Sequence, residues 1–407
     1  MLKKCVVIMV LFALVAGAAF AQITFGGQLQ EGFDLFSGTN VKSVVNDDTK
    51  EEALDVKMGG HYHGEGPYHE AKYSVLFGDG TAGGRLVWML DEQVMWGWMQ
   101  WRPSQFFRVK IGSDYDGEGG FPQIIGWGFT GEAKNSVAAV NDYAGGLYMQ
   151  YRNSGLNYGG FDGYPASDKM FHLQFSIFPI DMLQVNFLFR DIDKPQSAED
   201  GEDITTKLAN MQIYASYRIE QVGTIRFAAV GKGGFARHVD SGGSSKDGDG
   251  RATFHLAFYS NEIVQGLAFE LGGQLDAKHR NTDATDPIRI GGGFNLTATD
   301  PFNMKLRFGT MFGGKTATGD DIEKTGFSIG LLPSFKLPKM TIFFHAGLGI
   351  EQENKDADSV YEWFINPYVW VPMGGMRMWV GLQIIDQHSV QDGQFKWVIP
   401  CGFNFYF

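Results

Sequence analysis

The chain has 407 residues, of which 34 are lysine or arginine and 46 are aspartate or glutamate, so its formal net charge is −12. This acidic balance argues against nucleic acid as a partner, because phosphate backbones attract basic surfaces. The 55 glycines are nearly twice the usual share of about 7%. With 14% aromatic residues, this composition favours one large β-barrel over two or three soluble domains.

The N-terminal segment has the three parts of a secretory signal peptide. Lys3 and Lys4 give it a positive start, a short apolar core follows, and Ala19-Phe20-Ala21 supplies the small residues of a cleavage site. An uncleaved anchor is the alternative, but the apolar core is shorter than the roughly 20 residues that a spanning helix needs. The sequence predicts a signal peptide over residues 1–21 and a mature chain over 22–407, in which we find no helical span.

Beyond the signal peptide, apolar and polar residues alternate in many separate segments. The clearest of these segments begin at Ile23, Leu183, Met211, Phe302 and Met376. Alternate side chains of a strand point to opposite faces, so each segment is predicted to be a strand with one apolar and one polar face. We find no convincing stripe with the 3.6-residue period of a helix. A soluble sandwich or propeller would show the same alternation, so other features must decide whether the apolar faces meet a protein core or lipid.

The pattern of segment 84–101 does not show which of its side chains face the membrane and which face the lumen. It carries Trp88, Trp96, Trp98 and Trp101 in one long stretch. The acidic pair at positions 91 and 92 would divide it into two strands if the chain turns there.

Two kinds of connection separate the predicted strands. Short turns, many with proline, alternate with longer polar loops at a spacing of about 40 residues, as expected for pairs of strands of about ten residues in a membrane barrel. Their number predicts about 18–20 strands, the lower value applying if 156–162 and its partner are loop. The predicted turns lie near Gly66-Pro67, Pro103, Asn153-Ser154, Pro179, Gln221, Ile263, Pro301, Pro338 and Pro372, and the predicted loops are 37–53, 79–84, 113–142, 163–169, 192–206, 232–250, 276–287, 313–323, 351–360 and 386–393.

Aromatic residues cluster beside the predicted short turns, where a girdle at the membrane interface belongs. The short turns are therefore expected to face the periplasm and the acidic loops to face outward. The predicted girdle consists of Trp101, Phe106, Phe178, Tyr217, Phe302, Phe335, Trp370 and Phe407.

The C-terminal strand is apolar at every second position and ends on an aromatic residue. The alternate positions before the end include Phe403, Phe405 and Phe407. A soluble protein seldom ends on its most apolar strand, whereas the last strand of a transmembrane barrel pairs with the first and meets lipid. This ending resembles the assembly signal of bacterial outer-membrane β-barrels, and the resemblance implies recognition by the barrel-assembly machinery. The glycine-rich strands and proline turns resemble, within that class, spirochaete-type outer-membrane porins.

Basic residues occupy several predicted inward positions, while most acids lie in loops. The candidates for the pore lining are Arg108, Arg190, Arg218, Arg226 and Arg307. In general bacterial porins an inward-folded loop faces a row of arginines, and the longest predicted loop here, 113–142, resembles it in position. The resemblance implies a constriction in which Asp114, Asp116 and Glu118 oppose the arginines. Part of this basic set is also expected to pair simply with acids.

Other chemistry-bearing patterns are weaker. Residues 309–316 match a phosphate-binding loop letter for letter, but the helix that must follow such a loop is missing from the pattern. Residues 114–119 begin like a calcium loop, but Ile125 stands where a bidentate acid belongs. His61, His63 and His69 surround one predicted turn and could chelate a metal, although histidines facing water need none.

We therefore expect an all-β transmembrane antiparallel barrel that acts as an outer-membrane porin. No cofactor, no metal and no enzymatic activity are expected, and no G-x-S-x-G elbow of a hydrolase occurs. The expected partners are outer-membrane lipid, small hydrophilic solutes or ions, and further copies of the chain in a homotrimer. The alternative function is a surface adhesin or structural barrel whose loops bind a host ligand or partner.

Overall fold

The strands of the protein, seen in a computed structural model, form one large antiparallel sheet. The structure describes residues 23–45, 48–51, 55–58, 69–78, 81–89, 94–112, 172–190, 212–232, 237–239, 245–247, 251–277, 283–285, 287–386 and 394–406. The strands are β1 (Ile23–Val45), β2 (Asp48–Glu51), β3 (Asp55–Met58), β4 (His69–Gly78), β5 (Ala82–Met89), β6 (Val94–Ser104), β7 (Phe107–Gly112), β8 (His172–Ile180), β9 (Leu183–Arg190), β10 (Gln212–Ile219), β11 (Gly223–Lys232), β12 (Arg237–Val239), β13 (Ser245–Asp247), β14 (Arg251–Val264), β15 (Leu267–Asp276), β16 (Ile288–Thr299), β17 (Phe302–Phe312), β18 (Thr325–Leu337), β19 (Met340–Gln352), β20 (Val360–Met373), β21 (Met376–Gly381), β22 (Gln383–Asp386) and β23 (Gln394–Tyr406).

The main sheet closes on itself through its first and last strands. β1 pairs with β4 along one side, where Ile23 lies opposite Phe77, and with β23 along the other, where Leu29 lies opposite Phe405. Between β4 and β23, neighbouring strands of the ring pair in the antiparallel sense, as in the pairs of β4 with β5, β11 with β14 and β19 with β20. A closed ring satisfies the backbone groups of every strand within the sheet, which is the condition for crossing lipid. The predicted fold class, an antiparallel barrel, is confirmed.

The 21 strands of this sheet occupy 18 positions in the ring, because some of them lie end to end. β2, β3 and β4 pair with successive parts of β1. β21 and β22 both lie between β20 and β23. β7 pairs directly with β8. Within the described ranges, the number of strand positions therefore equals the lower of the two predicted values, and it is even, as expected for a bacterial barrel.

The short turns lie together at one end of the ring, with one difference from the prediction. The sequence analysis placed a short turn at Gly66-Pro67 and a loop of the other end at 79–84. Instead, β4 ends at Gly78 and β5 begins at Ala82, so only three residues separate the two strands, and the backbone N–H of Arg102 donates to the carbonyl of Thr81 at 2.6 Å. This turn thus lies beside the one between β6 and β7. Residues 90–93 separate β5 from β6, as the acidic pair there suggested.

The outward side of the ring is apolar. Large hydrophobic side chains at outward positions are exposed around the ring, for example Phe25 (76%), Trp101 (55%), Leu271 (53%) and Val380 (44%). A soluble barrel would not leave so many apolar side chains in water, since contiguous patches of this kind drive association. An apolar outer surface on a closed antiparallel ring is the wall of a transmembrane barrel.

The segment that matches a phosphate-binding loop forms strand and loop. Gly309 to Phe312 belong to β17, and Lys315 forms isolated bridges with Thr285 and Asp321. No helix follows Thr316 before β18 begins at Thr325, and all of these residues are described. Throughout the described part of the chain, no helix is long and apolar enough to cross a membrane.

Candidate functional site on the inner wall of the barrel

The inward face of the ring carries polar side chains where the outward face carries apolar ones. Several of these polar side chains are almost fully buried against their neighbours instead of standing free in the lumen. The buried polar residues at inward positions are Lys110, Gln174, Ser176, Asn186, Arg226, His255, Glu270, Ser334, His345 and Asn366. A buried polar group must find hydrogen-bond partners or lose free energy, so the contacts of these residues define the chemistry of the wall.

One cluster, the amide ladder, crosses β8 and β9 and consists of Gln174, Ser176, Gln184 and Asn186. The Gln174 amide nitrogen donates to Ser176 Oγ at 3.0 Å and to Asn186 Oδ1 at 3.1 Å. The Gln184 amide nitrogen donates to the same Asn186 oxygen at 2.8 Å. Ser176 lies opposite Asn186 and Gln174 opposite Leu188, so all these side chains share the inward face. The amide ladder therefore forms a polar surface and contains no acidic side chain.

Basic side chains lie beside the amide ladder on β6 and β7. The Arg108 guanidinium donates to Ser176 Oγ at 3.2 Å. Arg102 and Arg108 both lie over the ring of Phe178, at 4.9 and 5.7 Å from its centre. Lys110 is 1% exposed, and its ammonium lies 4.3 Å from the centre of the Trp98 ring. Such contacts hold cations against aromatic faces and keep their positive charge on the wall.

Two ion pairs cross the inner wall between β10 and β15, and each skips one strand. Arg218 reaches from β10 over β11 to Glu262, and the distance from its guanidinium nitrogen to Glu262 Oε1 is 2.9 Å. Glu262 also accepts a hydrogen bond from the backbone N–H of Gln221. Arg226 reaches from β11 over β14 to Glu270 at 3.2 Å.

The two pairs differ sharply in burial. The side chains of Arg226 and Glu270 are 8% and 0% exposed, and those of Arg218 and Glu262 are 57% and 25% exposed. The small side chain of Ala257 lies between Arg226 and Gly272 in the register and gives the guanidinium a path across β14. Charge on this side of the wall is therefore largely neutralised within the protein.

A strip of small residues covers the inward face from β15 to β19. Gly272, Gly291, Gly309, Ser328 and Gly349 lie opposite one another in consecutive strands. Glycines without side chains leave the lumen wide along this strip. The buried polar side chains and this strip of small residues thus occupy different sectors of the ring.

The third sector, the aromatic patch, lies on β19 to β21 and consists of Phe343, Tyr368, Trp370, Trp379 and Arg377. The rings of Phe343 and Tyr368 are stacked at 4.6 Å with 8° between their planes. Phe343 lies 6.1 Å from Trp370, and the Arg377 guanidinium lies 4.3 Å from the centre of the Trp370 ring. Trp370 is opposite Trp379, so these rings share the inward face.

The five arginines predicted to line the pore lie in five different strands. Arg108 and Arg226 are inward, in the contacts given above. Arg218 lies next to the short turn after β10, not near mid-height, and is paired with Glu262. Arg190 and Arg307 lie opposite His172 and Gly330, and their side chains are outside the described part of the molecule.

The predicted constriction acids and part of the assembly signal are also outside the described residues. This holds for Asp114, Asp116 and Glu118, and for Phe407. Phe405 lies in β23 at an outward position, is 39% exposed, and pairs with both Leu29 and Met376. Phe403 pairs with Glu31 and Met378 in the same strand.

The predicted aromatic girdle is wrong at two positions. Trp101 and Tyr217 are exposed on the outward face, at 55% and 43%. Phe178 instead lies inward under Arg102 and Arg108, and Trp370 lies inward in the aromatic patch. Both are near short turns, as predicted, but proximity to a turn does not decide which face a ring occupies. The sequence analysis consequently missed the aromatic patch.

Most residues of the predicted histidine and calcium patterns lie outside the described residues. His61, His63 and residues 114–119 lie outside the described residues. Within the described ranges, no three His, Cys, Asp or Glu side chains are grouped in a way that could hold a metal ion.

Comparison with known proteins gives matches to solved structures only. No family model matches the chain, and no curated protein matches it significantly. The outer-membrane channel DcaP of Acinetobacter baumannii is 10% identical, with a TM-score of 0.46 and 96% of this chain and 98% of that chain covered. OccK7 (OpdD) of Pseudomonas aeruginosa is 9% identical, with a TM-score of 0.48 and coverage of 95% and 99%. An anion-selective porin from Comamonas acidovorans is 10% identical, with a TM-score of 0.43 and the same coverage.

These similarity values are low, so the fold assignment depends on the strand pairing given above. The matches lend no support to the narrower resemblance to spirochaete-type porins.

Proposed function

We propose that the protein is a bacterial outer-membrane porin, a non-enzymatic channel through which small hydrophilic solutes diffuse. The observation that carries this proposal is a closed ring of 18 positions with an apolar outer face and a polar inner face. A ring of 16–18 strands is too wide for side chains alone to fill it and leaves an aqueous lumen. A purely structural barrel would not need a wide, polar inner surface.

The orientation in the membrane follows from the two ends of the ring. We infer that the short turns face the periplasm and the long connections face outward, as in bacterial barrels generally. Export through a signal peptide over residues 1–21 and insertion by the barrel-assembly machinery complete this proposal. Assembly into a homotrimer is part of the same proposal and is tested by the size of the folded protein in mild detergent.

Ion selectivity in this channel depends on the sector between β6 and β9. Arg108 donates to the hydroxyl of Ser176 and Lys110 lies on Trp98, so these contacts fix two cationic side chains on this sector of the wall. Fixed charge near a narrow point biases which ion enters, and salt screens it over roughly 8 Å at physiological strength. We propose a weak preference for anions, set by Arg108 and Lys110 and opposed by Asp114, Asp116 and Glu118 if loop 113–142 folds inward.

Liposome swelling tests the channel directly. Vesicles that contain the refolded protein are diluted into isotonic solutions of polar solutes of increasing size. The expected result is fast swelling with small sugars and amino acids and slow swelling with large oligosaccharides. Vesicles that swell no faster than protein-free vesicles with every solute would contradict the proposal and favour the adhesin or structural alternative.

A further inference from the structure

The aromatic patch on β19 to β21 has features that a plain pore wall does not need. The rings of Phe343 and Tyr368 form a parallel stack at 4.6 Å on the inward face of the wall. Phe343 and Trp370 are partly exposed, whereas Tyr368 is 3% exposed. A water-filled lumen gains nothing from aromatic rings, since the exposure of apolar ring faces to water is unfavourable. The patch therefore needs an explanation beyond solvent passage.

Polar atoms without hydrogen-bond partners lie in the same patch. Asn366 precedes Tyr368 by two positions on the inward face of β20 and is 1% exposed. Among the described residues, neither its amide nitrogen nor its amide oxygen has a hydrogen-bond partner, and the same holds for the indole nitrogen of Trp379, which is 4% exposed. Buried polar groups of this kind are uncommon in native proteins, and a bound ligand or an ordered water is one way to satisfy them.

We propose that the aromatic patch and Asn366 form a binding site for a neutral pyranose sugar on the inner wall of the channel. The C–H groups on one face of a pyranose ring are apolar and pack against the negative face of an aromatic ring. Each sugar hydroxyl is both a donor and an acceptor, so two adjacent hydroxyls satisfy both sides of the Asn366 amide. The Trp379 indole N–H supplies one more donor to a ring oxygen or hydroxyl.

Other solute classes fit these groups less well. A planar aromatic solute would stack on Phe343 or Trp370 but would leave the donor and the acceptor of Asn366 unmatched. A small carboxylate would use the Arg377 guanidinium, which lies over the Trp370 ring, and would leave the stacked rings without a role. A sugar uses both the rings and the amide.

The size of the patch suits one or two sugar rings. Asn366 and Trp370 lie four positions apart on one face of β20, which corresponds to about 13 Å along the strand. Because Asn366 is buried, a covering side chain has to move when the sugar binds. Weak binding is therefore expected, as passage through a channel requires. The proposal depends on the porin function, since it concerns the solute that passes.

Tryptophan fluorescence of the full-length refolded barrel in detergent tests the site without using conductance. D-glucose is the probe, glycerol is the control for hydroxyl groups without a ring face, and benzoate is the control for an aromatic anion. We expect saturable quenching with glucose alone. Asn366→Ala should weaken glucose binding by about tenfold, because two hydrogen bonds are lost. Asn295→Ala, which changes an asparagine on the glycine-rich side of the wall, should bind glucose like the wild type.

The fold of the Asn366→Ala variant is expected to survive, because removing a buried group without partners relieves a cost. Its folded band in a heat-modifiability gel should match that of the wild type.

Equal glucose binding by Asn366→Ala and wild type would overturn the proposal. So would equal responses to glycerol and glucose, which would indicate water sites only, or a response to benzoate and none to glucose. A protein that binds glucose but carries no current would contradict the porin function and leave the site standing, while current without glucose binding would contradict only the site.

Discussion

The buried ion pair between Arg226 and Glu270 offers a quantitative test of the inner wall. Its side chains are 8% and 0% exposed, and the guanidinium also lies 4.9 Å from the centre of the Tyr259 ring. Glu270→Gln removes the countercharge but keeps the size of the side chain. Breaking a buried pair on one side leaves an uncompensated buried charge, which costs about 3–5 kcal/mol. We expect the free energy of unfolding to fall by that amount.

The more exposed pair between Arg218 and Glu262 is the matched control. Its side chains are 57% and 25% exposed, and exposed pairs contribute only about 0–1 kcal/mol, so Glu262→Gln should cost no more than about 1 kcal/mol. The double variant Arg226→Met with Glu270→Leu should lose less stability than Glu270→Gln alone, because no buried charge remains.

Reversible urea unfolding in phospholipid vesicles, followed by tryptophan fluorescence, measures all of these variants. The m-value must stay constant for the comparison to hold. A Glu270→Gln variant that unfolds within about 1 kcal/mol of the wild type would refute the burial argument, as would a double variant less stable than the single one.

Three further predictions concern assembly, orientation and the backbone. Deleting Phe405 to Phe407 should abolish insertion, because β23 closes the ring against β1 and an open edge in lipid leaves backbone groups unpaired; normal surface levels of heat-modifiable protein would contradict this. Epitope tags within 192–206 and 232–250 should bind antibody on intact cells and a tag at Pro301 should not, and the opposite pattern would reverse the topology. Gly112→Ala should lower stability by more than about 1 kcal/mol in the urea assay, because φ is +134° there and a Cβ would overlap the carbonyl oxygen of Gly97, so unchanged unfolding would exclude this strain.

The sequence predicted strands well where one face is apolar and the other polar. The run from Leu183 alternates cleanly and follows Pro179, and β9 begins at that leucine. The prediction failed at 79–84, because Gly83 and Gly84 carry no side chain and erase the alternation at the start of β5. The predicted turn at Gly66-Pro67 lies outside the described residues.

The inner wall was less predictable than the strands. In β20 the inward positions hold the aromatic residues Tyr368 and Trp370, and the outward positions are apolar as well, so the sequence pattern does not show which side chains face the lumen. The aromatic patch could therefore not be found from periodicity alone.

The ion pairs could not be predicted either. Each one joins residues 44 positions apart across a skipped strand. Such contacts depend on the register of the ring, which no local pattern specifies. The inward position of Arg108 followed from the sequence, and its contact with Ser176 did not.

The central claim is that an aqueous channel runs through the ring, and single-channel recording in planar lipid bilayers tests it most directly. The expected result is stepwise current whose conductance rises nearly in proportion to salt concentration, with a small reversal potential of anion-selective sign across a salt gradient. Replacing Asp114, Asp116 and Glu118 by their amides should increase that potential if loop 113–142 lines the conduction path. Insertion of correctly folded, heat-modifiable barrels that give no current steps in any salt would contradict the account.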